Sequence, residues 1–244
     1  DIGGGPEEFL NIPMYLQTYT DNLIVHDVLA RKVRYYNVTD STLLLIKSSS
    51  LTYGNQIDPL SKPVLLNPET FVVDYGTGFE NTEYEHIIVK TDDDKPLGYF
   101  GSYPESELQS FDRYFEFSKT GVARPDLERY ATFYNNYNRF KIYNRSGVLL
   151  KDMVVEDPVL SEMDDHNPAD YRYFLYRSPV WASNDYIYSL GFNGYSDDLF
   201  EGANITTKTS LEIWDWDGNP VYRAAFDRYI RDFTVSEKHN KIYA

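Results

Sequence analysis

The chain is 244 residues long, carries a net charge of −15 and contains no Cys. A chain of this length buries roughly 70 to 75 per cent of its unfolded surface without disulfides or metals, and the missing thiols exclude Cys nucleophiles, thiolate metal sites and a disulfide framework. The charge excludes nucleic acid and anionic membrane as partners, since either would repel the protein.

Aromatic residues make up 16 per cent, with 23 Tyr against 3 Met, a balance that favours strands over helical bundles. No apolar run approaches the roughly 20 residues that span a bilayer. In chain order, the alternation of apolar runs with turn residues predicts strands over Met14–Tyr19, Leu23–His26 and Val33–Asn37. Thr42–Lys47 is a Leu and Ile run that reads as a strand buried on both faces, and Thr52–Pro68, with Gly54, Pro59 and Pro63, reads as a loop or irregular connection. Phe71–Tyr75, His86–Lys90 and Leu97–Phe100 are strands, the last two joined by a turn over Thr91–Lys95. A short helix after Pro104, carrying Glu105, Leu108, Phe111 and Phe115, is the one helical alternative. Strands continue at Phe115–Phe117, Ala131–Tyr134, Arg139–Tyr143 and Val148–Val155. Glu156–Asp170 is a polar excursion; Tyr171–Tyr176, Val180–Ala182 and Tyr186–Phe192 resume the rhythm, and Asn193–Asn204 is a second excursion. A hairpin turning at Asp217-Gly218-Asn219 follows, then Ile230–Val235 and Lys241–Ala244.

That last hairpin recurs. An apolar residue, a short polar one, a turn residue and a second apolar one at i, i+2, i+5 and i+8 are found at Ile213, Asp215, Gly218, Val221 and again at Ile142, Asn144, Gly147, Leu150. Val89, Thr91, Asp94, Leu97 and Val25, Asp27, Ala30, Val33 complete the set, so one hairpin is used four times. A Gly-x-x-Pro-Glu connection occurs twice, at Gly101–Glu105 and as Gly3-Gly4-Gly5-Pro6-Glu7. Only Asp1 and Ile2 precede the first copy, so the chain is expected to begin inside a repeat and to continue a longer parent. No linker divides it, and residues 1–244 are expected to form a single β-propeller domain.

On these residues the chain resembles the TolB-like six-bladed β-propeller lipoproteins of Bacteroides-type bacteria. Gly3, Gly5, Pro6, Glu7 and Phe9 look like that group's Gly-rich Pro-Glu-Phe connection, Gly101, Tyr103, Pro104 and Glu105 like its shorter form, and Ile213 to Gly218 like its hairpin. The resemblance implies an all-β fold with six blades favoured, export to the bacterial envelope, and a lipid anchor upstream. It brings no catalytic residues with it.

Local chemistry is sparse. Asp92-Asp93-Asp94 and Asp215-x-Asp217-Gly218-Asn219 are solvated turn acids, because a calcium loop starting at Asp215 would need a terminal Glu where Phe226 stands. Asp164-Asp165-His166 offers oxygen and imidazole ligands, but neighbouring loop residues seldom converge on one ion, and His26, His86, His166 and His239 are scattered. Neither a metal nor a cofactor is expected. There is no Gly-x-Ser-x-Gly elbow and no His-Glu-x-x-His motif. Trp214 and Trp216 share a strand face and could stack a sugar, but both faces of a propeller blade are buried against its neighbours, which favours core packing. In the Gly-x-x-Pro-Glu connections, chain geometry accounts for Gly and Pro but not for Glu7, Tyr103 and Glu105, which become the candidate ligand-binding residues, against a turn-capping role. The expected function is a monomeric, non-enzymatic binding or scaffold module that recognises a protein or neutral glycan. The alternative is an envelope glycoside hydrolase or lyase with paired carboxylates in a central funnel.

Overall fold

The computed structural model describes residues 15–27, 30–39, 42–51, 62–74, 83–93, 95–105, 117–155, 174–195 and 209–244. The first sheet contains β1 (Tyr15–Tyr19), β2 (Asn22–Asp27), β3 (Lys32–Val38) and β4 (Leu43–Ser50). The second contains β5 (Val64–Asn67), β6 (Thr70–Asp74), β7 (His86–Lys90) and β8 (Pro96–Phe100). The third contains β9 (Lys119–Ala123), β10 (Arg129–Tyr134), β11 (Arg139–Asn144) and β12 (Leu149–Val154). The fourth contains β13 (Phe174–Ala182), β14 (Tyr186–Tyr195), β15 (Ser210–Asp215) and β16 (Pro220–Ala225), and β17 (Thr234–Ser236) pairs with β18 (Lys241–Tyr243) in a two-stranded sheet.

In every four-stranded sheet chain neighbours pair antiparallel, giving the meander of a propeller blade. The fold is thus all-β and of the β-propeller type. The expected short helix after Pro104 falls on residues outside the described set, and a 3-10 turn at Glu237–His239 is the only helical element among the described residues. Six blades are expected; the described residues form four, with the β17–β18 pair besides. First strands begin at Tyr15, Val64, Lys119 and Phe174, so each blade with its connections uses about fifty residues, more than the roughly 40 to 45 of a compact WD-type blade.

The chain divides into two compact units, Asp1–Tyr114 with the first two blades and Phe115–Ala244 with the rest. Inside each blade burial follows strand position. β10 and β11 are almost wholly buried, whereas the fourth strands β12 and β16 are exposed along nearly their whole length. This gradient overturns the reading of Thr42–Lys47 as doubly buried. The run forms β4, the fourth strand of its blade, where Leu43, Leu44 and Ile46 are 57, 65 and 56 per cent exposed. Conversely Val64–Asn67, read as part of a connection, forms the buried first strand β5. The polar β9 was not anticipated, and the two strands expected between Tyr171 and Ala182 are one strand with register shifts at Arg177.

The first unit is tied together by side chains reaching backbone. The Gln17 amide donates to the Pro63 carbonyl and accepts from Leu65 N–H, and the Tyr35 hydroxyl donates to the Pro68 carbonyl. It also buries ionisable side chains: Asp27 and Arg34 pair at 3.9 Å beside buried His26, and His86 lies 3.1 Å from Asp74 and 3.6 Å from Glu85. In the second unit Phe133, Phe140 and Ile142 of the third blade pack with Val180, Ile187, Trp214 and Trp216 of the fourth. Phe133 and Phe140 stack at 4.6 Å, and Phe140 meets Trp214 at 5.0 Å. Both Trp side chains are therefore core, as expected for a blade packed against its neighbour.

Candidate functional site

The repeated hairpin sets the local geometry. Asp215 Oδ1 accepts the N–H groups of Asp217 and Asn219 at 2.9 and 2.8 Å, while Gly218 N–H donates to the Asp215 carbonyl at 3.0 Å. Asn144 makes the same pattern in the third blade, accepting Ser146 and Val148 N–H at 2.9 and 3.0 Å. Gly147 and Gly218 take φ of 78° and 86°, a conformation that Gly adopts without steric cost. The Thr91 copy also joins a third to a fourth strand, but its positive φ is at Asp92, and Asp94 lies outside the described residues. The Val25 copy is displaced. It joins β2 to β3, with Asp27 Oδ1 accepting Ala30 N–H at 3.0 Å, so it is not equivalent to the other three.

Gly218 brings the fourth blade's turn against the third blade. A Cβ there would lie 3.0 Å from Met153 Cγ, and the same turn is also held by Arg129 of the third blade, which donates to the Trp216 carbonyl at 2.6 Å and to Asp217 at 3.0 Å. Beside this contact the two blades leave a cleft of about 490 Å³. The third blade supplies Met153, Val154 and Val155, and the fourth supplies Trp214 from β15 and Val221 and Tyr222 from β16. Glu212 and Arg223 form its polar end.

Strand register explains the polar end. Glu212 lies on the same strand face as Trp214, paired with Ser189 on β14 and Arg223 on β16. Arg177 of β13 donates from Nε to Glu212 Oε2 at 2.5 Å, and Arg223 Nε lies 3.5 Å from Oε1. The Arg177 and Glu212 side chains are 5 and 7 per cent exposed, that of Arg223 53 per cent. Gly191 stands between Arg177 and Ser210 in the register, and a Cβ there would come within 3.2 Å of Glu212 Oε1, so the missing side chain makes room for the ion pair. Arg177 Nη1 also donates to Asn138 Oδ1, and the Asn138 carbonyl accepts Val155 N–H at 2.7 Å. One residue thus links the ion pair to the cleft wall. Arg177 further covers the Trp214 ring, with its guanidinium carbon 5.4 Å from the centroid. Among the described residues the buried Trp214 Nε1 and Ser189 Oγ have no hydrogen-bond partner.

Of the residues singled out in the sequence, Glu7 and Asp164-Asp165-His166 lie outside the described residues. Tyr103 is half-buried and Glu105 exposed, just beyond β8 in the first unit. The described residues contain no group of three His, Asp or Glu placed to hold a metal ion. The sequence reading missed Glu212, Arg177 and Arg223. Strand alternation could have found the first, since Glu212 has the same phase as the core residue Trp214 two positions on.

The chain is therefore a β-propeller protein with an interblade cleft. No family model matches it, and no curated protein matches it. Among solved structures it is similar to a "Putative exported protein" of Bacteroides fragilis, with TM-score 0.50 and 10% identity over 99% of this chain and 60% of that one. It is also similar to a DUF4221 family member of Bacteroides vulgatus, with TM-score 0.51 and 7% identity over 84% of this chain and 64% of that one. The chain spans less than two thirds of the length of either structure. No helix among the described residues is long and apolar enough to cross a membrane.

Proposed function

We propose that this chain is a non-enzymatic binding module of an exported or envelope-located bacterial protein, and that it engages a protein segment or glycan through the cleft between its third and fourth blades. The observation that carries the reading is the composition of that cleft. Its walls are apolar, and Glu212, the one acid among its described lining residues, has both oxygens directed to guanidinium groups. Glycoside cleavage needs a second carboxyl group roughly 5 to 9 Å away, and among the described residues no other Asp or Glu lines the cleft. Placement in the envelope is supported by the sequence resemblance and by the export named for the B. fragilis neighbour. The finer reading, a lipid-anchored TolB-like protein, rests on the resemblance alone.

Arrays of peptides and of neutral and sulfated polysaccharides, probed with the wild type and with Val221→Trp, test the proposal. Val221 is 48 per cent exposed, so the larger ring obstructs the cleft without entering the core. Binding that Val221→Trp abolishes is the expected result; turnover of a polysaccharide, or binding indifferent to the substitution, would overturn it. Glu7, Tyr103 and Glu105 are proposed as a second contact, to be discarded if Tyr103→Ala with Glu105→Gln leaves binding unchanged.

A further inference from the structure

We propose that the face of the fourth blade turned away from the third is a docking surface for a protein segment that presents an Arg side chain. This site lies outside the cleft and is independent of it. Val180 and Ile187 pack towards the third blade, so Trp181 and Tyr188, their neighbours in the chain, turn to the opposite face. There they lie against the cluster of Leu190, Leu211 and Phe233. Trp181, Tyr188 and Ile213 are in register across β13, β14 and β15, and Tyr186, two residues before Tyr188, carries the same surface towards the connection at Asn184-Asp185.

The rings meet as corners. Trp181 and Tyr188 have centroids 5.5 Å apart and planes at 69°, and Tyr186 and Tyr188 stand 6.4 Å apart at 83°. Core packing accounts for Trp181 and Tyr188, which are half-buried, but not for Tyr186, which is 38 per cent exposed. Rings so close to perpendicular offer no flat platform, and a sugar cannot stack on two of them at once. A cation can use two, because each ring face attracts charge within roughly 6 Å of its centroid, and the space between two such rings lies within that reach of both.

Charge selects the sign of the partner. Asp185, beside Tyr186, and Glu237, in the turn between β17 and β18, are both exposed, and neither carboxylate has an ion-pair partner among the described residues. Both act on one ring: the Tyr188 phenol is pushed above its ordinary 10.0 chiefly by burial, against a hydrogen bond with Ser183, with Glu237, Tyr186 and Asp185 adding to the rise. A third acid, Asp215, is in register with Tyr186, its oxygens held by Asp217 and Asn219. Anions are repelled here, and a wholly apolar partner would strip water from the acids and return nothing. A guanidinium suits both halves of the site, since it stacks on aromatic faces, is more weakly hydrated than an ammonium and donates to carboxylates. A free small molecule needs a pocket that encloses most of its surface, whereas Asp185, Tyr186 and Glu237 are all open to solvent. The cation is therefore a side chain brought by a larger partner, whose other contacts hold it in place.

The test is a displayed library of random seven-residue peptides panned against the wild-type chain and against Val221→Trp, which obstructs the cleft. Peptides that bind both equally should be enriched in Arg. Synthetic versions should weaken about tenfold on Tyr186→Ala, the order of one partly desolvated cation–π contact, and again on the double variant Asp185→Asn with Glu237→Gln. Tyr186→Phe, which keeps the ring face, should bind as the wild type does. The substituted side chains are exposed, native circular dichroism checks each variant, and the Asp185 and Glu237 double variant decides the matter if Tyr186→Ala unfolds. Retained peptides without Arg, or Arg peptides indifferent to both Tyr186→Ala and the double variant, would overturn the proposal. Peptides all lost on Val221→Trp would overturn it too and leave the cleft reading standing. Binding indifferent to Val221→Trp counts against the cleft only where Tyr186→Ala leaves it unchanged as well.

Discussion

Replacing Asp215 by Ala removes the acceptor that closes the fourth blade's last hairpin. Three hydrogen bonds depend on it, from Asp217 N–H, Asn219 N–H and Asn219 Nδ2, at 2.9, 2.8 and 2.9 Å. The turn is exposed, so the orphaned N–H groups recover water, and the loss is comparable to that of a helix cap, about 1 to 2 kcal/mol. For a chain of this size that is a fall in Tm of roughly 2 to 8 °C. Asp215→Asn should lose less than half as much, because Asn144 makes the same two backbone contacts in the third blade with an amide oxygen. Acid separates the two further. Burial alone would raise the Asp215 pKa, but the hydrogen bonds from Asn219, Asp217 and Gly218 outweigh it and hold the carboxyl below its ordinary 3.8. A depressed folded-state pKa contributes stability that is present above 3.8 and is lost as pH falls through the folded value. Thermal melts of the wild type should therefore show an acid-sensitive increment in that window that Asp215→Asn lacks. Asp215→Ala melting within a degree of wild type, or Asp215→Asn falling as far as Asp215→Ala, would refute the account.

Burial lowers the His26 pKa from 6.5 to about 4, against the opposing pull of Asp27. The unfolded chain thus takes up a proton that the folded chain refuses, and stability should decline by about 3 kcal/mol between pH 6.5 and 4; urea titrations should show that limb flattened in His26→Gln. Removing one partner of the buried ion pair, as in Glu212→Gln or Arg177→Met, should cost about 3 to 5 kcal/mol, and the pairing Glu212→Leu with Arg177→Met should recover most of it in denaturant unfolding. Gly218→Ala, at φ 86° and 3.0 Å from Met153, should destabilise by about 1 kcal/mol or more in the same assay. The single-domain reading of residues 1–244 expects one calorimetric transition with matching calorimetric and van't Hoff enthalpies; two transitions would overturn it.

The hairpins were legible because their information is local. Ile213, Asp215 and Gly218 sit at fixed offsets, and a turn needing positive φ and a side-chain cap records both needs in the sequence. Blade position is not local. Leu43 to Ile46 look like a buried strand, and only their place as fourth in a meander leaves them exposed. The displaced Val25 match shows the same limit, since Asp27 closes a turn like its counterparts but one strand earlier in its blade. Glu212 and Arg177 lie 35 residues apart and meet through the register of β13, β14 and β15, and no spacing rule connects them. Alternation alone marks Glu212 as facing inward with Trp214.

The burial gradient within blades also decides where chemistry can occur. Ala131, Phe133, Phe140 and Ile142 on the second and third strands of the third blade are fully enclosed, and nothing there can meet a ligand without unfolding the sheet. Fourth strands escape that constraint, and the exposed apolar side chains of the second unit are concentrated on or beside them: Leu149, Leu150 and Val154 on β12, Val221 and Tyr222 on β16. Beside that exposed stretch, on β13 and β15, the buried Arg177–Glu212 pair stands out. Such a pair contributes little net stability compared with apolar residues of the same volume, so its value lies in what it holds in place. Through Asn138 it fixes Val155 at one wall of the cleft, and through Glu212 it draws the Arg223 guanidinium towards the polar end. A carboxylate whose oxygens are shared between two guanidinium groups is a positioning group for Arg223, and it holds that side chain at the polar end of the cleft proposed to bind a ligand.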